Sequence, residues 1–349
     1  MRAGLRGGGA VVVAGLLVPL GVGCGSGGDE VGGPVGPADG GCRPGDEVVV
    51  SVDDATGDMR WWRARADGDV EELTLDWPDG GYGVASRPDF SPDGERMVVV
   101  RADGDYESAG PTATWLWTVA ADGTGPRPVT EGDVLDDDPD WSPDGTTIVF
   151  TRSLGHDPGQ GDRLFVVDAG GGEPRPLLPD TPGDGATDTT QAVTYDRSPV
   201  WSPDGRRVAF LRAQQVPGSD VATTSVMLVD ADGTGVLELT GADDHARSLD
   251  WSPDGRWLAV GIPLSGRDAM VELVDADTGE VGARIDDAAE AVWADDERLW
   301  YLRVAADGRR FPLQQARLEG DEVAPVGDPI DVGAAFLYST LGLAARPCG

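Results

Sequence analysis

The chain has 349 residues, enough for a large buried core, and 62 acidic against 27 basic residues, a formal charge of −35. Lysine is absent and there are two histidines, so almost every positive charge is an arginine. A surface this negative repels phosphate backbones and anionic lipid, which argues against nucleic acid as a partner and for a soluble, self-repelling monomer.

In chain order, residues 1–23 read as an export signal. Arg2 and Arg6 give the positive start, and the apolar stretch from Ala10 to Val22 is too short for an ordinary membrane span. Gly21-Val22-Gly23-Cys24 resembles a bacterial lipoprotein box, although Gly21 stands where Leu is usual and Leu20 lies one place early. That resemblance implies lipidation of Cys24 and a location outside the cytoplasm, anchored to the cell membrane through the lipid only. Ordinary cleavage with secretion, or an uncleaved anchor, are the alternatives. Residues 24–45 are rich in Gly, Pro and acid and read as a flexible tether.

Residues 46–349 carry a repeat. Pro88-Asp89-Phe90-Ser91-Pro92-Asp93-Gly94 returns as Pro139-Asp140-Trp141-Ser142-Pro143-Asp144-Gly145, then as Pro199-Val200-Trp201-Ser202-Pro203-Asp204-Gly205 and Leu249-Asp250-Trp251-Ser252-Pro253-Asp254-Gly255. A worn copy, Ala291-Val292-Trp293-Ala294-Asp295-Asp296-Glu297, follows, and the aromatics are spaced by 51, 60, 50 and 42 residues. Periods of about 40–50 residues include propeller blades. Ser-Pro-Asp-Gly suits a type I turn, with Pro at the second position and Gly at the fourth. Beyond each turn, Met97/Val99, Ile148/Phe150, Val208/Phe210, Leu258/Val260 and Trp300/Leu302 are spaced by two, the mark of a strand with one buried face. Asp122-Gly123 and Asp232-Gly233 then stand between apolar runs as hairpin signals, and Asp67-Gly68 belongs to a first unit without Ser-Pro-Asp-Gly. Four antiparallel strands per unit in about six units make an all-β, six-bladed β-propeller.

The repeat resembles the TolB-type (PD40, WD40-like) propeller repeat over roughly residues 46–345, with three intact copies. That resemblance implies a six-bladed, extracytoplasmic propeller that binds proteins or ligands. The cysteines fit it. If Cys24 carries lipid, Cys42 and Cys348 remain, one before the first strand and one near the end, where a ring must close. A disulfide there would add roughly 4–5 kcal/mol by the chain-entropy model. Two unrelated thiols are the alternative.

The loops within residues 102–114, 153–162 and 213–224 and the link 180–194 are long and dissimilar, and all emerge on the face opposite the Ser-Pro-Asp-Gly turns. Recognition concentrates on such loops, so an envelope protein or small ligand is expected there. Asp133, Asp136, Asp137, Asp138, Asp196, Asp243 and Asp244 precede inner strands; an all-oxygen set of this kind suits Ca²⁺, and otherwise these are solvated loop acids. The motif acids Asp93, Asp144, Asp204 and Asp254 read as turn residues, and Trp141, Trp201, Trp251 and Trp293 as core wedges. Trp61, Trp62, Trp115 and Trp117 fall on strands, where an exposed ring would mark a binding patch.

Catalytic motifs are scarce. His156 and His245 are far apart, and Gly-x-Ser-x-Gly, His-Glu-x-x-His and Cys-x-x-Cys do not occur. The expectation is therefore a lipid-anchored binding or assembly module at the cell envelope with no catalytic residues and no cofactor other than the Ca²⁺ reading. The alternative is a carboxylate- or metal-dependent hydrolase, of glycosidase or lactonase type, at the channel mouth.

Overall fold

The computed structural model describes residues 47–53, 59–78, 82–83, 87–103, 113–153, 161–179, 193–215, 222–241, 246–262, 269–306, 311–320, 322–332, 342–345 and 347. Cys24, Cys42, Cys348, Asp243, Asp244, both histidines, the proposed signal and tether, and most of the long loops lie outside the described residues.

Among the described residues every regular element is a β-strand. One sheet runs Gly342–Ala345, Glu47–Asp53, Met59–Arg65, Val70–Glu72. A second runs Val193–Trp201, Arg207–Gln215, Ala222–Asp230, Leu237–Glu238, and a third runs Ser248–Trp251, Trp257–Ile262, Met270–Asp275, Val281–Asp286. A fourth runs Ala288–Trp293, Arg298–Arg303, Leu313–Glu319, Glu322–Ile330. The strands from Tyr82 to Pro176 form one nine-stranded sheet, in which a single parallel pairing, Thr114 with Leu135, joins Ala113–Ala120 to Leu135–Trp141. All other pairings in that sheet are antiparallel.

The period of two in the second strands decides the packing. Met97, Val99, Ile148, Phe150, Val208, Phe210 and Leu258 have no exposed surface, and Trp300 and Leu302 are as deep. Each pair meets the neighbouring sheet, so every apolar cluster is shared by two successive units: Val98, Val100 and Leu116 pack on Trp141, Ile148 and Phe150, and Val149, Leu164 and Val166 on Val208 and Phe210. The motif aromatics Phe90, Trp141, Trp251 and Trp293 are buried wedges, while Trp201 keeps partial exposure.

The strand Gly342–Ala345 pairs antiparallel with Glu47–Asp53, Val48 opposite Ala345 and Ser51 opposite Gly342, so the last described strand completes the first sheet. The apolar seam agrees: Ala64 of that sheet packs with Val292, Trp300, Leu302 and Leu313 of the sheet that ends at Ile330. The outer strands are shorter than the sequence pattern suggests, only Arg127–Pro128 and Leu237–Glu238. Pro128 has no N–H to extend a ladder, and Leu237 and Glu238 bury too little to hold one.

Candidate functional site

The four Ser-Pro-Asp-Gly turns repeat one geometry. Gly94, Gly145, Gly205 and Gly255 donate their N–H to the carbonyl of Ser91, Ser142, Ser202 and Ser252 at 2.7–2.8 Å, with φ between 67 and 77°. The Ser hydroxyl donates to the Asp carboxylate two residues on, at 2.6 Å from Ser91 to Asp93 and 2.7 Å in the other three. That carboxylate also accepts the N–H of the residue after Gly. These bonds, the Ser91 hydroxyl first for Asp93 and the Thr146 N–H first for Asp144, hold both acids below the ordinary carboxylate range, and Asp204 behaves like Asp93. Pro92, Pro143 and Pro203 face the glycine of the following turn, so the turns stack side by side. Ser142, Pro143, Asp144, Trp201, Pro203 and Asp204 line a cleft of about 380 Å³ between two of them.

A second constellation lies among the inner strands, and the repeat had hidden it in plain view. The residue just before the motif aromatic is Asp in three copies, Asp89, Asp140 and Asp250. Each sends one carboxylate oxygen to the backbone N–H of the next unit's aromatic: Asp89 Oδ2 accepts from Trp141 at 2.6 Å, Asp140 Oδ2 from Trp201 at 2.7 Å, and Asp250 Oδ2 from Trp293 at 2.7 Å. The copies with Val200 and Val292 have no carboxylate at that place. Arg87 donates to the Leu249 carbonyl and to Asp250 Oδ1. Burial by itself would lower the guanidinium; the charges of Asp250, Asp140, Asp89 and Glu290 outweigh it and raise it.

The acids respond in the opposite sense. Burial, helped by the Asp250 charge, lifts Asp89 to about 6 against the Trp141 hydrogen bond and Arg87. Burial and the charge of Asp89 push Asp140 well above the carboxylate range, and burial also raises Asp250 against the pull of Arg87. Acids crowded around one guanidinium disfavour one another's ionisation, and the carboxyls of Asp89, Asp140 and Asp250 all shift upward. Such a cluster can store a proton and can fix strands. Every named Asp in it has one oxygen committed to a backbone N–H, which is a fixing role.

The acids considered as calcium ligands are placed as follows. Asp136 is fully buried and held by Arg152 through two bonds of 2.6 and 2.9 Å. Asp196 is held in the same way by Arg212, at 2.7 and 2.8 Å. In both, the guanidinium supplies the positive charge that a cation would supply. Asp137 is exposed and accepts the Asp138 N–H at 2.9 Å. Asp138, with φ of 48°, accepts both the N–H and the hydroxyl of Ser198, at 3.2 and 3.1 Å; burial raises it and these bonds oppose the rise. Asp133 is exposed. Among the described residues no three His, Cys, Asp or Glu side chains converge as a metal site. Of the strand tryptophans, Trp61 is buried and Trp62, Trp115 and Trp117 are half-buried.

Solved proteins share this all-β arrangement of sheets. The structure aligns with TolB from Acinetobacter baumannii at a TM-score of 0.57 and 17% identity, covering 87% of this chain and 68% of that one. With the putative TolB of Agrobacterium tumefaciens the TM-score is 0.51 at 16% identity, over 86% of this chain and 99% of the other. The fold is a TolB-like propeller. The structure also aligns with an oligogalacturonate lyase in complex with manganese, at a TM-score of 0.51, 18% identity and coverage of 79% of this chain and 73% of that one. No family model matches the sequence. A curated relative, the uncharacterized peptidase YuxL of Bacillus subtilis (strain 168), is 32% identical over 121 residues, which is 35% of this chain and 16% of that protein. The TolB-like chain thus spans a small part of that relative's length.

Proposed function

We propose that this chain is a six-bladed TolB-like propeller that works outside the cytoplasm as a protein- or ligand-binding and assembly module, held to the cell membrane by lipid on Cys24. Dividing the nine-stranded sheet at its one parallel pairing gives two units like the other four, which supports the blade number. The observation that carries the binding reading is the use of the inner acids: Asp89, Asp140 and Asp250 tie successive sheets together. A scaffold whose inner polar groups are spent on rigidity leaves recognition to its loops. A Cys42–Cys348 disulfide would lock the seam already formed by Gly342–Ala345.

The test is crosslinking of the full, membrane-attached chain in its own cells, with the propeller face bearing the loops carrying the crosslinker. One discrete adduct, lost when the crosslinker is moved to the Ser-Pro-Asp-Gly face, is expected. A ladder of unrelated adducts from both faces overturns the reading.

One observation favours the second reading, a carboxylate-dependent hydrolase: Asp89, lifted to about 6, is a group able to exchange protons near neutrality. Turnover of uronide or lactone substrates that disappears in Asp89→Asn would establish it.

A further inference from the structure

Three arginines occupy one register in successive units. Arg152 lies across the ladder from Asp136 and Arg212 across from Asp196. Each guanidinium is gripped by that Asp through two bonds and stacks on aromatic rings, Arg152 5.4 Å from Phe150 and 5.2 Å from Phe165, Arg212 5.3 Å from Phe210. Arg101 holds the same place on Arg96–Asp103, but the residue across the ladder is Gly83.

The aromatic half of the constellation is kept and enlarged. The Arg101 guanidinium sits 4.9 Å from the Trp117 ring and 5.6 Å from Trp77, and the two indoles meet edge to face at 88°. The acidic half is missing: among the described residues no carboxylate pairs with Arg101, and its Nε and the Trp117 Nε1 are buried donors without an acceptor. Arg101 itself is only half-buried, so its terminal nitrogens remain within reach.

We propose that Arg101 takes its carboxylate from outside the chain, from an acidic side chain or C-terminus of a bound peptide. A planar guanidinium already oriented by two rings loses little freedom on gripping a carboxylate with two bonds. The formal charge of −35 repels polyanions, so the ligand is a single carboxylate whose apolar neighbours rest on Trp77 and Trp117. This names the ligand chemistry of the binding reading above and rests on it.

The experiment is titration of the full chain, labelled at arginine Nε and tryptophan Nε1, with N-acetyl-glutamate, its amide N-acetyl-glutamine, and inorganic phosphate. The acid is expected to move the Arg101 and Trp117 resonances with a Kd of roughly 1 mM, while the amide and phosphate leave them in place. Arg101→Gln should weaken the response at least about tenfold. Gly83→Asp, which provides from within the carboxylate that Arg152 and Arg212 have, should abolish it without lowering the melting temperature. No movement with the acid, equal movement with the amide or phosphate, or a response retained in Gly83→Asp overturns the proposal. A discrete crosslinked partner captured equally by wild type and Arg101→Gln would leave the binding reading standing and remove Arg101 from it.

Discussion

Asp140 shows how one side chain can join two sheets. Its Oδ2 satisfies the N–H of Trp201, which otherwise would be a buried donor without an acceptor. Asp140→Ala should cost about 1–3 kcal/mol, the penalty of that orphaned group. Asp140→Asn keeps an acceptor oxygen and places no ionisable group in this buried site, so it should fold with little or no loss at neutral pH; chemical denaturation of the pair checks both. The same residues set a pH profile. Asp89 in the fold lies at about 6, above the value of an unfolded carboxylate, near 3.9. Its contribution is therefore fully present below the unfolded value and is lost as pH rises through about 6. Melting temperature should rise on going from pH 7.5 to about pH 5, opposite to ordinary acid denaturation, and the rise should shrink in Asp89→Asn. Arg87→Met removes the guanidinium that Asp250, Asp140, Asp89 and Glu290 attract and should cost about 3–5 kcal/mol at neutral pH, with partial recovery toward pH 5 as Asp89 takes up a proton.

Turns and hairpins set the spacing between neighbouring elements. Gly233, at φ 84°, lies so close to the Leu177 carbonyl of the preceding unit that a methyl group would overlap it, and Gly123 stands likewise against Thr74. Gly233→Ala combines that clash with a disfavoured backbone, and we expect a loss of about 2–4 kcal/mol by calorimetry. Gly68, with φ 90° but open space around it, should tolerate Ala at only the backbone cost of about 1 kcal/mol. At this scale the sequence was readable where a pattern repeats. Ser-Pro-Asp-Gly announced its turn, and the pairs from Met97/Val99 to Trp300/Leu302 announced their buried faces, because period and turn chemistry are local. The staple acids are equally visible as letters, beside three of the five motif aromatics, yet their purpose depends on an N–H about 50 residues away. No local rule reports such a partner. One signal was available: Asp recurring at a position flanked by apolar residues, where solvation alone would not keep it. The Asp136–Arg152 and Asp196–Arg212 pairs could have been found the same way, since both are separated by 16 residues in sequence.

Across the whole molecule, closure depends on four short residues. Truncation after residue 341 removes Gly342–Ala345, strips Glu47–Asp53 of one neighbour, and exposes the seam where Ala64 meets Trp300 and Leu302. The shortened chain should melt at a lower temperature and in a broader transition, because a ring that has lost its joint can fray from either side. The repeat spacing made a closed ring legible from the sequence, but it gave no hint that Leu343-Ala344 would belong to the first sheet, since that stretch carries no motif. Ala344 is buried all the same, within the cluster formed by Val49, Trp61 and Phe90. A polypeptide delivered amino-end first must therefore hold its opening sheet one rung short, with an unpaired edge, for nearly the whole time of its delivery. Only the arrival of the tail clasps the loop, so anything able to shield that edge in the interval would govern how much finished protein accumulates.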